Sequence, residues 1–141
     1  MSGKLSRRAE EVRAGERLAP QVIALTPTRI IAAAIATRDF QPVHHDVGVA
    51  AKLGNAGIFL NTHTTAGFLE CYVQAWAGPD AFVKSVKFRL GVPAYAGDTL
   101  QLSGEVVDAP TRDGLVTVKV VGTNALGTHV EGEVSVRLES T

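Results

Sequence analysis

The chain has 141 residues, of which 45% are hydrophobic and 20% are charged, and its 14 basic and 14 acidic side chains cancel to a formal net charge of zero. This length fits one domain with a core of ordinary size. The balanced charge argues against a protein that binds DNA or RNA, because such domains carry a clustered basic excess, and it favours association with another protein chain. The one cysteine, Cys71, excludes an intrachain disulfide. Without a signal-peptide pattern or an apolar stretch of about 20 residues, the sequence predicts a cytoplasmic protein that does not cross a membrane.

The N-terminal segment differs in composition from the rest of the chain. Residues 1–17 are rich in charge and contain few large apolar side chains, which predicts a solvated arm or a short surface helix. Residues 18–141 are then expected to form the domain. Its first apolar segment, residues 18–25, predicts a strand.

Three helices are predicted, in part from residues that typically start a helix. Thr26 followed by a proline has the pattern of an N-cap and a first helical residue, which predicts a helix over residues 28–37. Asp46 is the expected N-cap of a second helix, over residues 47–53. Residues 61–76 are the longest candidate, because large apolar side chains recur there at spacings of three and four residues.

Beyond residue 80 the apolar pattern changes to a period of two, which is typical of half-buried antiparallel strands. Four such segments are predicted, at residues 82–90, 99–107, 115–124 and 129–138. In the last of them, Val130 and Val134 face the core and His129 lies with the polar residues on the opposite face. Helices followed by a run of strands predict an α+β domain in which the long helix packs on the apolar face of the sheet. The hot dog fold, a curved antiparallel sheet wrapped around one long central helix, satisfies this pattern.

One loop concentrates reactive side chains. Residues 38–46, with the sequence RDFQPVHHD, place Asp39 and His44 on a turn that Pro42 prevents from continuing as a smooth helix. A carboxylate and an imidazole on one rigid turn can hold a water molecule between them: the carboxylate accepts its proton, and the imidazole orients it or passes the proton on. A helix-capping aspartate and a surface histidine would explain the same residue types, so both interpretations stay open at this point.

The segment ATRDFQPVHHDVGVAAKLG resembles the signature of the MaoC-like (R)-specific enoyl-CoA hydratases, which is Asp-x-Asn-Pro-x-His-x-Asp followed by a helix of small residues. A later segment, YAGDTLQLSGEV, resembles the entry to a strand in the same family. The resemblance implies that Asp39 and His44 are catalytic. Gln41 replaces the usual asparagine and keeps an amide group that can position the substrate. Asp46 is expected to cap a helix, and His45 is expected to be a solvated neighbour.

The family also uses an oxyanion site, formed by backbone N–H groups where a His-Gly step enters the central helix. The corresponding residues here are Asn61, which stands at the usual glycine, and Thr62. The resemblance implies that they stabilise the enolate of the thioester, and asparagine is expected to tolerate left-handed backbone geometry at that position. His63 has no counterpart in the family and is expected to lie on the helix surface or to line the pocket.

Further features, among them the paired histidines and the segment RLGVP at residues 89–93, resemble the small subunit of actinobacterial steroid side-chain hydratases. This resemblance implies a steroid 2-enoyl-CoA substrate, as in cholesterol catabolism, and a larger MaoC-like domain protein as heteromeric partner, with a homodimer as the alternative. The CoA thioester is then the substrate, and neither a bound cofactor nor a metal is expected. Two other functions stay open: a hot dog acyl-CoA thioesterase, and a non-catalytic subunit that completes a partner's acyl-CoA groove.

Overall fold

A computed structural model describes residues 6–140, which form a five-stranded antiparallel sheet and three α-helices. The elements are β1 (Arg17–Ala24), α1 (Pro27–Ala36), α2 (Val47–Lys52), α3 (Thr62–Ala77), β2 (Phe82–Leu90), β3 (Thr99–Val106), β4 (Leu115–Asn124) and β5 (Gly127–Arg137). Each predicted helix and strand is confirmed, with bounds within about two residues of those expected. None of the helices within residues 6–140 is long and apolar enough to cross a membrane.

The predicted N-caps begin the first two helices. The side-chain oxygen of Thr26 accepts the backbone N–H of Arg29 at 3.1 Å at the start of α1. At the start of α2, Oδ1 of Asp46 accepts the backbone N–H of Val49 at 3.0 Å. Each bond satisfies one of the N–H groups that a helix leaves without a partner in its first turn. The structural role expected for Asp46 is therefore confirmed.

One face of the sheet packs against α3. The strand order is β1-β3-β4-β5-β2, and alternate residues of β3 and β4 are buried. On the helix, Leu69 and Val73 are fully buried against this face. Gly104 of β3 permits the close approach, because a Cβ there would lie 3.0 Å from Cε1 of Tyr72. The period-two strands and the helical stripe thus form one core, as the sequence predicts.

The described part of the N-terminal segment packs on the domain, so of the two expected forms the solvated arm is wrong for these residues and the short helix is closer to the structure. Ala9 and Val12 are buried, and a short 3₁₀ turn covers Ala9–Glu11. The backbone N–H of Arg7 donates to the carbonyl of Ala77 at 2.8 Å, at the end of α3. Two apolar residues three apart join the hydrophobic core, and composition averaged over 17 residues hides so short a pattern. The predicted domain boundary at residue 18 stays a prediction.

His129 is buried, which contradicts its predicted place on the outer face of β5. Its neighbour Val130 pairs with Gly122, and Thr128 pairs with Thr123, so the register shifts between these pairs and leaves His129 as the extra residue of a bulge. A bulge interrupts the strict alternation of side chains along a strand. The imidazole is only 3% exposed as a result.

Candidate active site

The loop between α1 and α2 is shaped by its backbone. Arg38 follows the end of α1 with a φ of 57°, in the left-handed region that residues with a Cβ rarely occupy. The chain reverses there, and the N–H of Asp39 donates to the carbonyl of Ala34 at 2.9 Å. Pro42 then begins a 3₁₀ turn over Pro42–His44. This double turn brings Asp39 and His44 together.

His44 is held in one orientation. Its Nδ1 lies 2.8 Å from the carbonyl oxygen of Phe59, which can only accept, so Nδ1 carries the hydrogen. The Phe59 ring also packs edge-on against the imidazole, with the ring centroids 5.0 Å apart. The other nitrogen, Nε2, lies 3.5 Å from Oδ2 of Asp39. In the neutral ring, Nε2 therefore presents a lone pair beside the carboxylate, and a water molecule that donates to both groups would suit this pair.

The Asp39 carboxylate receives hydrogen bonds at both oxygens. The side-chain amide of Asn61 donates to Oδ2 at 3.1 Å, and the backbone N–H of Gln41 donates to Oδ1 at 3.3 Å. The Asn61 bond is the main cause that holds the pKa of Asp39 below its usual range, against the opposing effect of burial; the Gln41 N–H contributes further, and the imidazoles of His44 and His63 add smaller effects when they are protonated. Asp39 is therefore a carboxylate near neutral pH, which is the form that accepts a proton.

Asn61 and Thr62 lie at the start of α3, as predicted, but Asn61 does not have the expected geometry. Its φ is −86°, so its backbone is extended and not left-handed. Its side chain accepts no backbone N–H of the helix; the amide oxygen accepts the Thr64 hydroxyl, and the amide nitrogen faces Thr37 and Asp39. Sequence reasoning missed this side-chain role, because the pairing spans 22 positions and no local pattern indicates it. Thr62 is exposed and lines the neighbouring cleft.

The cleft beside His44 has a volume of about 320 Å³ and is lined mainly by apolar side chains. Small-molecule sites in proteins typically combine such walls with a few polar groups that fix the ligand's orientation. Of the predicted site residues, Gln41, His44 and Thr62 line it directly. The remaining walls are Val43, Phe59, Leu60, Leu90, Gly91, Val92, Pro93 and His129.

Among the polar residues that line the cleft, His129 was not predicted from the sequence. Its Nδ1 lies 2.7 Å from the carbonyl oxygen of Val92 and therefore carries the hydrogen. Burial holds the pKa of His129 below its usual value, so the ring is neutral and its Nε2 accepts the hydroxyl of Thr65 at 2.9 Å. This pair joins β5 to the first turns of α3 at the wall of the cleft.

The remaining candidate residues are two histidines, of which His63 lies near enough to Asp39 to affect its pKa. His45 and His63 are both exposed, as predicted. Within residues 6–140, no group of three or more histidine, cysteine, aspartate or glutamate side chains is arranged to hold a metal ion.

Comparison with known proteins identifies the family. The model of the MaoC like domain matches residues 10–129, which is most of the chain. The chain belongs to the MaoC-like domain family. It is 50% identical, over 115 residues, to the 3-oxo-4,17-pregnadiene-20-carboxyl-CoA hydratase beta subunit of Mycobacterium tuberculosis, and the match covers 82% of this chain and 88% of that one.

Two solved structures have the same fold as this chain. A chain in the crystal structure of the ChsH1-ChsH2 complex from Mycobacterium tuberculosis matches with a TM-score of 0.85 at 48% identity, covering 89% of this chain and 98% of that chain. The (R)-hydratase of A. caviae involved in PHA biosynthesis matches with a TM-score of 0.84 at 19% identity, covering 92% of this chain and 98% of that one, which shows the fold alone. The comparisons confirm the predicted family, the hot dog fold and the class of enzyme, a hydratase.

Proposed function

We propose that this MaoC-like chain carries the catalytic residues of an enoyl-CoA hydratase, which adds water to a trans-2-enoyl-CoA thioester and forms the 3-hydroxyacyl-CoA. The observation that carries the proposal is the pair formed by the Asp39 carboxylate and the lone pair of His44 Nε2. These two acceptors lie 3.5 Å apart, and His44 lines an apolar cleft. Two proton acceptors that face each other suit a water molecule that donates one hydrogen to each.

The chemistry follows from this placement. As Asp39 accepts a proton from water, the water oxygen forms a bond to C3 of the substrate. The electrons of the C2–C3 double bond move towards the thioester carbonyl and produce an enolate. The proton is then returned to C2 by the same site, so that water has been added across the double bond and both side chains regain their starting forms. The reaction requires no oxidant or reductant.

The enolate needs hydrogen-bond donors at the thioester oxygen, and the start of α3 is suited to supply them. The first N–H groups of a helix have no partner within the helix, and the helix dipole favours negative charge there. The Asn61 side chain is turned to Thr37 and Asp39, and Thr62 lines the cleft. We assign the backbone N–H groups at Asn61 and Thr62 to the oxyanion site, where one such donor is typically worth about 3 to 4 kcal/mol of barrier. The Gln41 amide is assigned to substrate positioning beside them.

The substrate is proposed to be a CoA thioester of a steroid side chain, and the partner a larger MaoC-like domain protein. The name of the 50% identical relative, a pregnadiene-carboxyl-CoA hydratase beta subunit, supports the substrate class, and the structure of a two-protein complex supports the partner. The size of the cleft agrees with both. At about 320 Å³ it lies at the lower end of small-molecule pockets, so a bulky steroid thioester needs further walls from a second chain. Phe40 and Val47, which are 64% and 65% exposed near the catalytic loop, offer apolar surface to that chain.

The test follows two signals at once, the loss of the enoyl substrate and the release of free CoA. The chain is co-purified with its larger MaoC-like partner and mixed with a trans-2-enoyl-CoA, and both the absorbance of the conjugated enoyl thioester and the free CoA thiol are followed. We expect the enoyl absorbance to fall without thiol release. Release of CoA from saturated acyl-CoA without hydration of the enoyl form would instead identify a thioesterase.

A second comparison separates a catalytic from a merely structural chain. Asp39→Asn should abolish most of the activity of the complex, and Asp108→Asn should not, because Asp108 is exposed at the end of β3. Full activity of the Asp39→Asn complex would show that the partner alone carries the chemistry.

A further inference from the structure

Asn61 is buried, and its side chain does not cap the helix that it begins. It is the N-cap residue of α3, where an asparagine side chain typically accepts a backbone N–H of the first turn. Here the side chain is only 1% exposed and is turned back to the catalytic loop. Its Nδ2 lies 2.9 Å from the hydroxyl of Thr37 and 3.1 Å from Oδ2 of Asp39. The amide therefore links the end of α1, the proton acceptor and the start of α3.

The hydrogen-bonding partners fix which way this amide faces. The Thr37 hydroxyl donates its hydrogen to the carbonyl of Ala33 at 2.8 Å, so its oxygen can only accept from Asn61. A carboxylate also only accepts. Both neighbours of Nδ2 thus require a hydrogen-bond donor. One hydrogen of the amide is donated to the Thr37 hydroxyl oxygen and the other to Oδ2 of Asp39. On the other side, the Thr64 hydroxyl donates to Oδ1 of Asn61.

We propose that Asn61 is a positioning residue for Asp39, and that its side-chain amide holds Oδ2 where that oxygen accepts the proton of the attacking water. The proposal rests on the proposed function for the role of Asp39, and it goes beyond the assignment of the backbone at Asn61 to the oxyanion site. The contacts require two donors and one acceptor within a single planar group. Asparagine meets this requirement at this distance, whereas an aspartate of the same shape has no donor and places a second negative charge against Asp39.

The first test reads Asp39 directly and does not depend on turnover. The full chain, assembled with its partner and labelled with ¹³C at the aspartate carboxyls, is titrated by NMR, and the Asp39 signal is assigned by its loss in Asp39→Asn. In Asn61→Ala the midpoint should move to higher pH, because a hydrogen bond to the charged form has been removed. The imidazoles that face Asp39, His44 from the loop and His63 from α3, are followed in the same samples so that their titrations are separated.

An unchanged Asp39 midpoint in a folded Asn61→Ala chain would overturn the proposal. Failure of the proposed function would give a different result. In that case Asp39→Asn would keep full hydratase activity, while Asn61→Ala would still shift the midpoint of the Asp39 titration.

The second test measures how the loss divides between kcat and KM. Asn61→Ala should lower kcat roughly 10- to 100-fold, the scale of small misplacements of a reacting group, with a smaller change in KM. Thr64→Val should give an intermediate loss, because it removes only the bond that orients the amide. Asn61→Asp keeps the shape without the donor and should be no better than Asn61→Ala. Wild-type kcat in Asn61→Asp would contradict the proposal even if Asn61→Ala did not fold.

The matched control is Asn55→Ala. Asn55 is a half-buried asparagine whose Oδ1 accepts the hydroxyl of Tyr95 at 3.3 Å, and its side chain has no described bond to Asp39. We expect wild-type kcat and an unmoved Asp39 midpoint. An equal loss in Asn55→Ala and Asn61→Ala would show a general effect of removing an amide and would reject the positioning role.

Discussion

The proposed mechanism makes a specific prediction about removing Asp39 and His44 separately and together. Asp39→Asn preserves the local structure well: the new carbonyl oxygen can accept the Asn61 amide at the position of Oδ2. The new amide group then faces Gln41, where the bond is longer, at 3.3 Å, and exposed. His44→Ala removes the donor to the Phe59 carbonyl and leaves a cavity. We therefore expect little change in stability for Asp39→Asn and a loss of about 1 to 3 kcal/mol for His44→Ala.

The expected loss of rate follows from the shared water. Each single substitution removes a positioned acid-base group, which typically costs a factor of about 10² to 10⁴, or roughly 2.7 to 5.4 kcal/mol of barrier. If the two groups acted independently, the losses would multiply. Because they lie 3.5 Å apart and act on one water molecule, the double variant should lose about as much as the worse single variant.

The assay is the fall in enoyl-thioester absorbance, measured for each variant in complex with the partner and well below its unfolding temperature. Circular dichroism and thermal melts check that each variant is folded. A double loss equal to the product of the single losses would refute the shared-water geometry, and full activity of either single variant would remove the mechanism.

Two further predictions concern the scaffold. Leu69→Ala, at a fully buried position of α3, should lower the free energy of unfolding by about 2 to 5 kcal/mol in chemical denaturation. The same substitution at its exposed neighbour, Glu70→Ala, should change this free energy by less than about 0.5 kcal/mol. Similar losses in both variants would contradict the packing described. His129 has a lowered pKa in the folded chain, so below about pH 6.5 the unfolded chain binds the additional proton and stability falls as the pH drops towards the folded pKa. Unfolding measured between pH 7 and pH 5 should therefore show a flatter pH dependence for His129→Gln than for the wild type or the exposed control His45→Gln. Parallel curves for all three would show that His129 does not titrate in this way.

Local sequence determined the elements and indicated the candidate catalytic loop. The helix starts at Thr26 and Asp46 depend on residues within three positions, and the period of two in β3 depends on neighbours along one strand. Such features are visible in the sequence because their physical causes act over a few residues. Asp39 and His44 are also only five residues apart, and the turn that joins them is set largely by Pro42.

Only the tertiary structure decided what surrounds that loop. The tautomer of His44 depends on the Phe59 carbonyl, and the lowered pKa of Asp39 is due mainly to an amide 22 positions away. His129 enters the cleft wall because a bulge in β5 interrupts the alternation that would have placed it outside. Sequence periodicity describes the exposure of a regular element, but a hydrogen bond across the fold or one extra residue in a strand changes the environment of a side chain without changing the local pattern. The candidate catalytic residues could therefore be proposed from the sequence, whereas the contacts that orient them and lower the pKa of Asp39 required the folded chain.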